Sequence, residues 1–376
     1  MVAMAPETSA DLFPHPTALH IVGPRLQLPN FGRMIAQVLE FVSAQWGVWF
    51  DEPQTPRLTP LVITHASKIN RRVAVFVFES GQPNPRVMVK VSLTDNDSAS
   101  SEVEYQALAS LHELVPEDMS TTMPRPLGFE RVDPRVSLFA ETAISGSLPI
   151  LPTITGGTSL LGAALIRRHT HLILNWSRKL ADSTTRDDMV VRTHDLIDVV
   201  DRFSEAFPVT QATRHALDVF RDQISNAELQ EKACWQHGDI SPGNVLIHRG
   251  QARLIDWEHA NSRSEPWRDA AQIPSTLYVR SFAEEPGADA TRLAVRSLGS
   301  SSRAGRAVKS SLEAHWDYSV PLSWAVLIST MRQALQTRWL SSASGNPEAT
   351  LAHILLVPDA AGTALDWLTR SDDFRF

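Results

Sequence analysis

The spacing of apolar residues changes period twice along the chain. From residue 31 it is helical: Met34, Ile35, Val38, Leu39 and Val42 form one stripe, and Asn30 is placed to cap the helix. The Pro-rich DEPQTPRLTP, residues 51–60, ends that period, and alternation follows. RVAVFVF (72–78) and RVMVKV (86–91) are rich in β-branched and aromatic residues, with the turn residues ESGQPNP between them, so the pair predicts a hairpin. In its second arm Val87, Val89 and Val91 share one face, Met88 and Lys90 the other. SASSEVEYQALASLHEL returns to a helical period with serine upstream as its cap. PRPLGFERV and VSLFAETA predict a loop and two further strands.

Past SGSLP the pattern is mostly helical, over 158–230 and again over 267–376, where SLGSSSRAG and SSASGNPEA interrupt it. No internal repeat is visible. The expected organisation is an N-terminal extension with one helix (1–60), a small β-rich lobe (61–143) and a larger α-helical lobe (144–376). The class is α+β.

Composition narrows the setting. The 376 residues are 43% hydrophobic, enough for a sizeable core, and carry a net charge of −7, which argues against a nucleic-acid partner. A lone cysteine, Cys234, fits a reducing compartment. MVAMAPETSADLF has no basic n-region, and no apolar run nears the roughly 20 residues of a membrane span. These features predict a soluble cytoplasmic protein with no membrane partner; its oligomeric state stays open.

The chemistry concentrates in HGDISPGNVLIHRGQARLIDWEHA, residues 237–260. NVLI and ARLI flank the Gly-containing HRGQ, which predicts a second hairpin. Asn244 opens one arm and Asp256 closes the other, so the pairing sets an amide oxygen beside a carboxylate, roughly 5 Å apart at Cα. Hard oxygen ligands in an incomplete set suit Mg²⁺ completed by phosphate and water. Asp239, five residues before Asn244, sits at the same mouth, where a carboxylate can orient a hydroxyl and accept its proton. A phosphate reader is then needed. Lys90, inside a strand, requires a buried counter-ion. In the following helix Glu104 shares the stripe of Leu108, Leu111 and Val115, whereas Glu102 shares a polar face with Gln106 and Glu113. Glu104 is therefore the partner expected for Lys90.

HGDISPGN followed twelve residues later by DW resembles the catalytic loop and metal-binding Asp of the aminoglycoside phosphotransferase and choline kinase-like family, over roughly residues 60–275. The resemblance implies a protein-kinase-like two-lobed fold and MgATP as cofactor. It casts Asp239 as catalytic base, Asn244 and Asp256 as Mg²⁺ ligands, Lys90 as phosphate contact and Glu104 as its helix partner. It further implies a hinge at ETA, with Glu141 and Ala143 offering backbone to adenine, and Asp269 in PWRDAA as a brace for the catalytic loop. The segment ITHASKINRRVAVF (63–76) corresponds to the phosphate-covering loop; it holds no Gly, so Ser67, Asn70 and backbone are its candidate contacts.

The implied activity is transfer of the γ-phosphoryl group to a hydroxyl of a small molecule, such as an aminoglycoside, a sugar or an amino alcohol. A catalytically silent kinase-like nucleotide-binding or interaction module is the alternative. A protein kinase fits less well, because no Arg follows His237 and no APE follows Asp256. His237 reads as loop support and HTH (169–171) as two side chains on opposite sides of a helix. Trp257 reads as core, or as a substrate contact beside the metal. Arg292, Arg296, Arg303, Arg306 and Lys309, in a stretch without acids, read as a solvated loop or an anion-facing surface.

Overall fold

The computed structural model describes residues 20–22, 31–64, 72–149 without 134, 160–206, 211–273 without 228 and 242, and 303–335 without 330, 333 and 334. The chain forms two compact units: residues 1–113 with 123–145, and residues 114–122 with 146–376. Both α and β elements are present, the strands of the large sheet all in the first unit and most helices in the second. This is the α+β, β-rich then helix-rich division expected from the sequence.

In the first unit a six-stranded sheet runs in the order β1 (His20–Val22), β2 (Leu58–Thr64), β3 (Arg72–Glu79), β4 (Val87–Ser92), β6 (Ser137–Thr142), β5 (Pro126–Arg131). Its pairings are antiparallel except β1 with β2. The predicted hairpin is β3–β4, with Val75 opposite Val89 and Ala74 opposite Lys90. Alternation divides the sheet chemically. Val73, Val75, Val77, Val87, Val89 and Val91 are buried with Met34, Ile35, Val38, Val42 and Trp46 of α1 (Phe31–Phe50) in one core. Helix α1, expected in an N-terminal extension, thus shares the core of the sheet. Leu39, placed in the stripe by its spacing, lies at the margin of that core.

The helix α2 (Asp95–Leu114) starts earlier than the serine-capped pattern predicted. Thr94 is the cap: its hydroxyl donates to the Asp97 carboxylate at 2.6 Å and accepts the Asp97 N–H at 3.2 Å. Ser98 and Ser101 are buried inside the helix, and Ser101 meets Ser92 at 2.8 Å. The acids Asp95 and Asp97 in the first turn complement the helix dipole.

The second unit contains α3 (Glu117–Ser120), α4 (Leu160–Thr184), α5 (Thr193–Ala206), α6 (Gln211–Asn226), α7 (Arg268–Ile273) and α8 (Arg303–His315). Leu196, Val199 and Phe203 of α5 pack with Leu217, Phe220 and Ile224 of α6 and with Trp267 and Ala271 at α7. The unit also holds three short ribbons: β7 (Val190–Arg192) with β8 (Gln230–Lys232), where the sequence predicts a helical pattern; β9 (Cys234–Gln236) with β12 (Asn261–Ser264), which no expectation covers; and the predicted hairpin β10 (Val245–His248) with β11 (Gln251–Leu254). That hairpin turns tightly, since His248 pairs with Gln251 and only Arg249 and Gly250 lie between, both at positive φ. Of the acid-free basic stretch, α8 carries an exposed Arg306 and a Lys309–Glu313 pair at 3.8 Å, while Arg292 and Arg296 lie outside the described residues.

Trp46 is fully buried beneath the valine face and donates its indole N–H to Glu52 at 2.8 Å. Trp46→Ala should lower the unfolding free energy by about 3–5 kcal/mol in urea titration. A loss under about 1 kcal/mol would show that α1 contributes little to this core.

Candidate active site

Each unit holds its own cluster of candidate side chains. In the first, Lys90 leaves β4 on the face opposite the valines and pairs with Glu104 of α2. Burial is nearly complete: Lys90 is 8% exposed, Glu104 0%. Helical phase put Glu104 inward with Leu108 and Leu111, both buried, and Glu102 outward, where it accepts from Arg131 at 2.8 Å. The Glu141 carboxylate, on β6, lies 3.8 Å from the same ammonium. The Phe139 ring sits 5.7 Å from it. Ala143 donates its backbone N–H to Arg86 O at 3.1 Å, so that donor is already engaged inside the sheet. Ser67 and Asn70 lie outside the described residues.

In the second unit the loop 237–244 runs from β9 to β10. One carboxylate organises it. Asp269, buried on α7, accepts the N–H groups of two successive residues, His237 at 2.7 Å and Gly238 at 2.8 Å. Gln272, one turn further, accepts from Ile240 N at 2.9 Å and donates to Gly238 O at 2.7 Å. Gln236 completes the lattice by accepting the Asp269 N–H at 2.9 Å. Gly238 has φ +81°, and a Cβ there would stand 2.3 Å from His259 O, so no other residue fits. Resemblance pointed to Asp269 as a brace; Gln272 and Gln236 were missed. The one sequence signal for Gln272 is its i+3 spacing from Asp269 on a helix face, which by itself does not reveal its backbone partners.

The braced loop carries Asp239 and Asn244 together. The Asn244 amide nitrogen donates to the Asp239 carboxylate at 2.8 Å and to Asp239 O at 3.2 Å. Ile255 N donates to Asn244 O at 3.0 Å, so the hairpin register continues one pair past the strands and delivers Asp256 at its mouth. Asp256 is at φ +67°, a left-handed conformation that costs a non-glycine residue about 1–3 kcal/mol. Such a cost persists where the backbone must aim a side chain.

His237 supports the loop, as its sequence position suggested. Its Nε2 lies 3.0 Å from Ile255 O and its Nδ1 takes the Asp239 N–H at 3.3 Å. Trp257 is a correction to the idea of a substrate contact. It is fully buried, with His237 edge-on at 4.7 Å and Trp176 tilted at 5.8 Å on its flanks, and donates to Leu254 O at 3.2 Å. Behind the loop Arg332 pairs with the buried Glu265. Burial alone would raise the Glu265 carboxyl, but Arg332 and Arg268 hold it below the usual range. Burial pushes the Cys234 thiol up to about 12, which makes it inert.

Two oxygens therefore qualify for a hard cation: the Asn244 amide oxygen, since its nitrogen is committed to Asp239, and the Asp256 carboxylate. Among the described residues no group of three or more His, Cys, Asp and Glu side chains converges on a metal-sized space.

Residues 161–289 match the model of a phosphotransferase enzyme family. The matched segment spans the loop, the hairpin and α7, and stops short of the sheet with Lys90. Among solved structures, a GDP complex of an aminoglycoside 2'-phosphotransferase-IIIa mutant is 11% identical over 86% of this chain and 98% of that one, with a TM-score of 0.48. A ternary complex of aminoglycoside phosphotransferase APH(4)-Ia with ADP and hygromycin B is 14% identical over 88% and 99%, TM-score 0.48. The choline kinase LicA from Streptococcus pneumoniae is 11% identical over 89% and 99%, TM-score 0.47. Likeness at these scores says nothing about this chain's substrate. No curated protein matches the chain. Among the described residues no helix is long and apolar enough to cross a membrane.

Burial pushes the Asp269 carboxyl up to about 6 from its ordinary 3.8, against the pull of the Gly238 and His237 N–H groups and of Arg268. The folded chain thus holds that proton more tightly than the unfolded one. This group's contribution to stability is fullest below 3.8 and declines as the pH rises through about 6. Urea unfolding across about pH 4 to 7 should show the wild type losing stability relative to Asp269→Asn as pH rises. Parallel curves would contradict the raised carboxyl.

Proposed function

We propose that the protein is an ATP- and Mg²⁺-dependent phosphotransferase that moves the γ-phosphoryl group to a hydroxyl of a small molecule. The observation that carries this reading is the pairing of Asp239 with Asn244 on a loop fixed by Asp269, beside a strained Asp256. Asn244 and Asp256 would hold the cation, which supplies charge neutralisation at the transferring phosphate. Asp239 orients the acceptor hydroxyl and takes its proton, and the hydrogen bond from Asn244 fixes one of its carboxylate oxygens. Lys90, held by Glu104, offers a positioned positive charge to the nucleotide phosphates. Positioning and electrostatics then do most of the catalysis. The adenine contact at Glu141 and Ala143 belongs to the same proposal, and there the base would compete with Arg86 O for the Ala143 N–H.

Screening alcohols with γ-labelled ATP tests the reaction. Asp239→Ala should lower turnover roughly a hundred- to ten-thousand-fold while nucleotide affinity changes little. Full turnover in that variant would remove Asp239 from the role. Asp256→Ala should instead weaken nucleotide binding in calorimetry when Mg²⁺ is present and leave Mg²⁺-free binding alone. Equal affinity with and without the substitution would count against the metal assignment. Stabilisation by MgATP without transfer to any alcohol would favour the silent module.

A further inference from the structure

The first unit holds one more buried acid than a lysine–glutamate pair requires. Glu141 is fully buried, and the ladder between β4 and β6 explains where its side chain goes. Met88 stands opposite Glu141 and Lys90 opposite Phe139, so all four side chains share the face away from the valine core. The carboxylate reaches to 3.8 Å from Lys90 Nζ, on a different element from Glu104. We propose that the Glu141 side chain is a second counter-ion of Lys90, a positioning residue that holds the ammonium from the sheet while Glu104 holds it from the helix.

The physical case has three parts. The ammonium donates to Glu104, while Glu141 acts on it through charge at 3.8 Å, so donors remain for a phosphate oxygen. A buried cation with a single partner on one helix takes its position from how that helix packs. Glu141 sits on a strand paired on both edges, to β4 and to β5, and so ties Nζ to the same sheet that carries Lys90. Finally, burying an additional carboxyl costs folding free energy, which is retained where a charge must be aimed. The inference rests on the phosphotransferase reading for its purpose, since it is the nucleotide phosphate that Lys90 would meet.

Glu141→Gln keeps the shape and removes the charge. A carboxylate beside an ammonium keeps the proton on the nitrogen. Without nucleotide, trinitrobenzenesulfonate should therefore modify Lys90 several-fold faster in the variant than in the wild type, read by peptide mass spectrometry at one pH. An unchanged rate in a variant with the wild-type melting temperature overturns the proposal. In transfer assays Glu141→Gln should lower kcat about tenfold. In a Lys90→Met background the same change should alter kcat less than about twofold, because Glu141 acts through Lys90. An additive loss in that background means a role elsewhere and also overturns it. The labelling needs no nucleotide. A wild type that transfers no phosphate would thus sink the proposed function while the labelling rate still decides the counter-ion.

Discussion

A single carboxylate accepting two consecutive backbone N–H groups sets the geometry of the site. His237 and Gly238 point their amides the same way, which an extended strand does not do, and Asp269 meets them with one oxygen for each. Everything displayed by the loop follows. Gly238 can only be glycine because His259 O crowds its Cα, Gln272 fixes the next donor and acceptor, and Asp239 emerges with its own N–H on His237. The carboxyl is costly to keep ionised in that environment, as its rise to about 6 records.

The sheet shows the same economy of pattern in a different form. Alternation along β4 gives one strand two chemistries: valines that bury α1, and on the reverse a lysine buried among acids and an aromatic ring. A register slip of one residue would exchange the two faces and bury Lys90 among valines. Six consecutive pairs with β3 and six with β6 hold β4 against that slip. Core packing and charge placement in this unit are therefore one property of one strand.

Much of this was legible in the sequence because it depends on periods. The α1 stripe, the β3–β4 hairpin, the inward phase of Glu104 and the β10–β11 hairpin all follow from two repeats, 3.6 and 2. The start of α2 was not, since serines inside the helix look like caps and the true cap, Thr94, works through Asp97. Ribbons of three or four residues such as β9–β12 and β7–β8 are too short to show alternation. Within the site, the types Asp239, Asn244 and Asp256 stood out as polar groups in an apolar stretch. Gln272 and Gln236 did not, because a buried amide is recognised by its partners, and those are backbone groups over thirty residues away. For Trp257 the sequence left core and substrate contact both open; its indole fills the space between Trp176 and His237.

The central claim is that the braced loop and hairpin mouth present Asn244 and Asp256 to one divalent cation carried by a nucleotide. Soaking crystals with Mn²⁺ and ADP and recording the anomalous difference map tests it most directly. The account predicts a manganese peak roughly 2.0–2.3 Å from the Asn244 amide oxygen and from an Asp256 carboxylate oxygen, with phosphate oxygens completing the shell. A nucleotide-bound manganese ion coordinated by neither residue would contradict it.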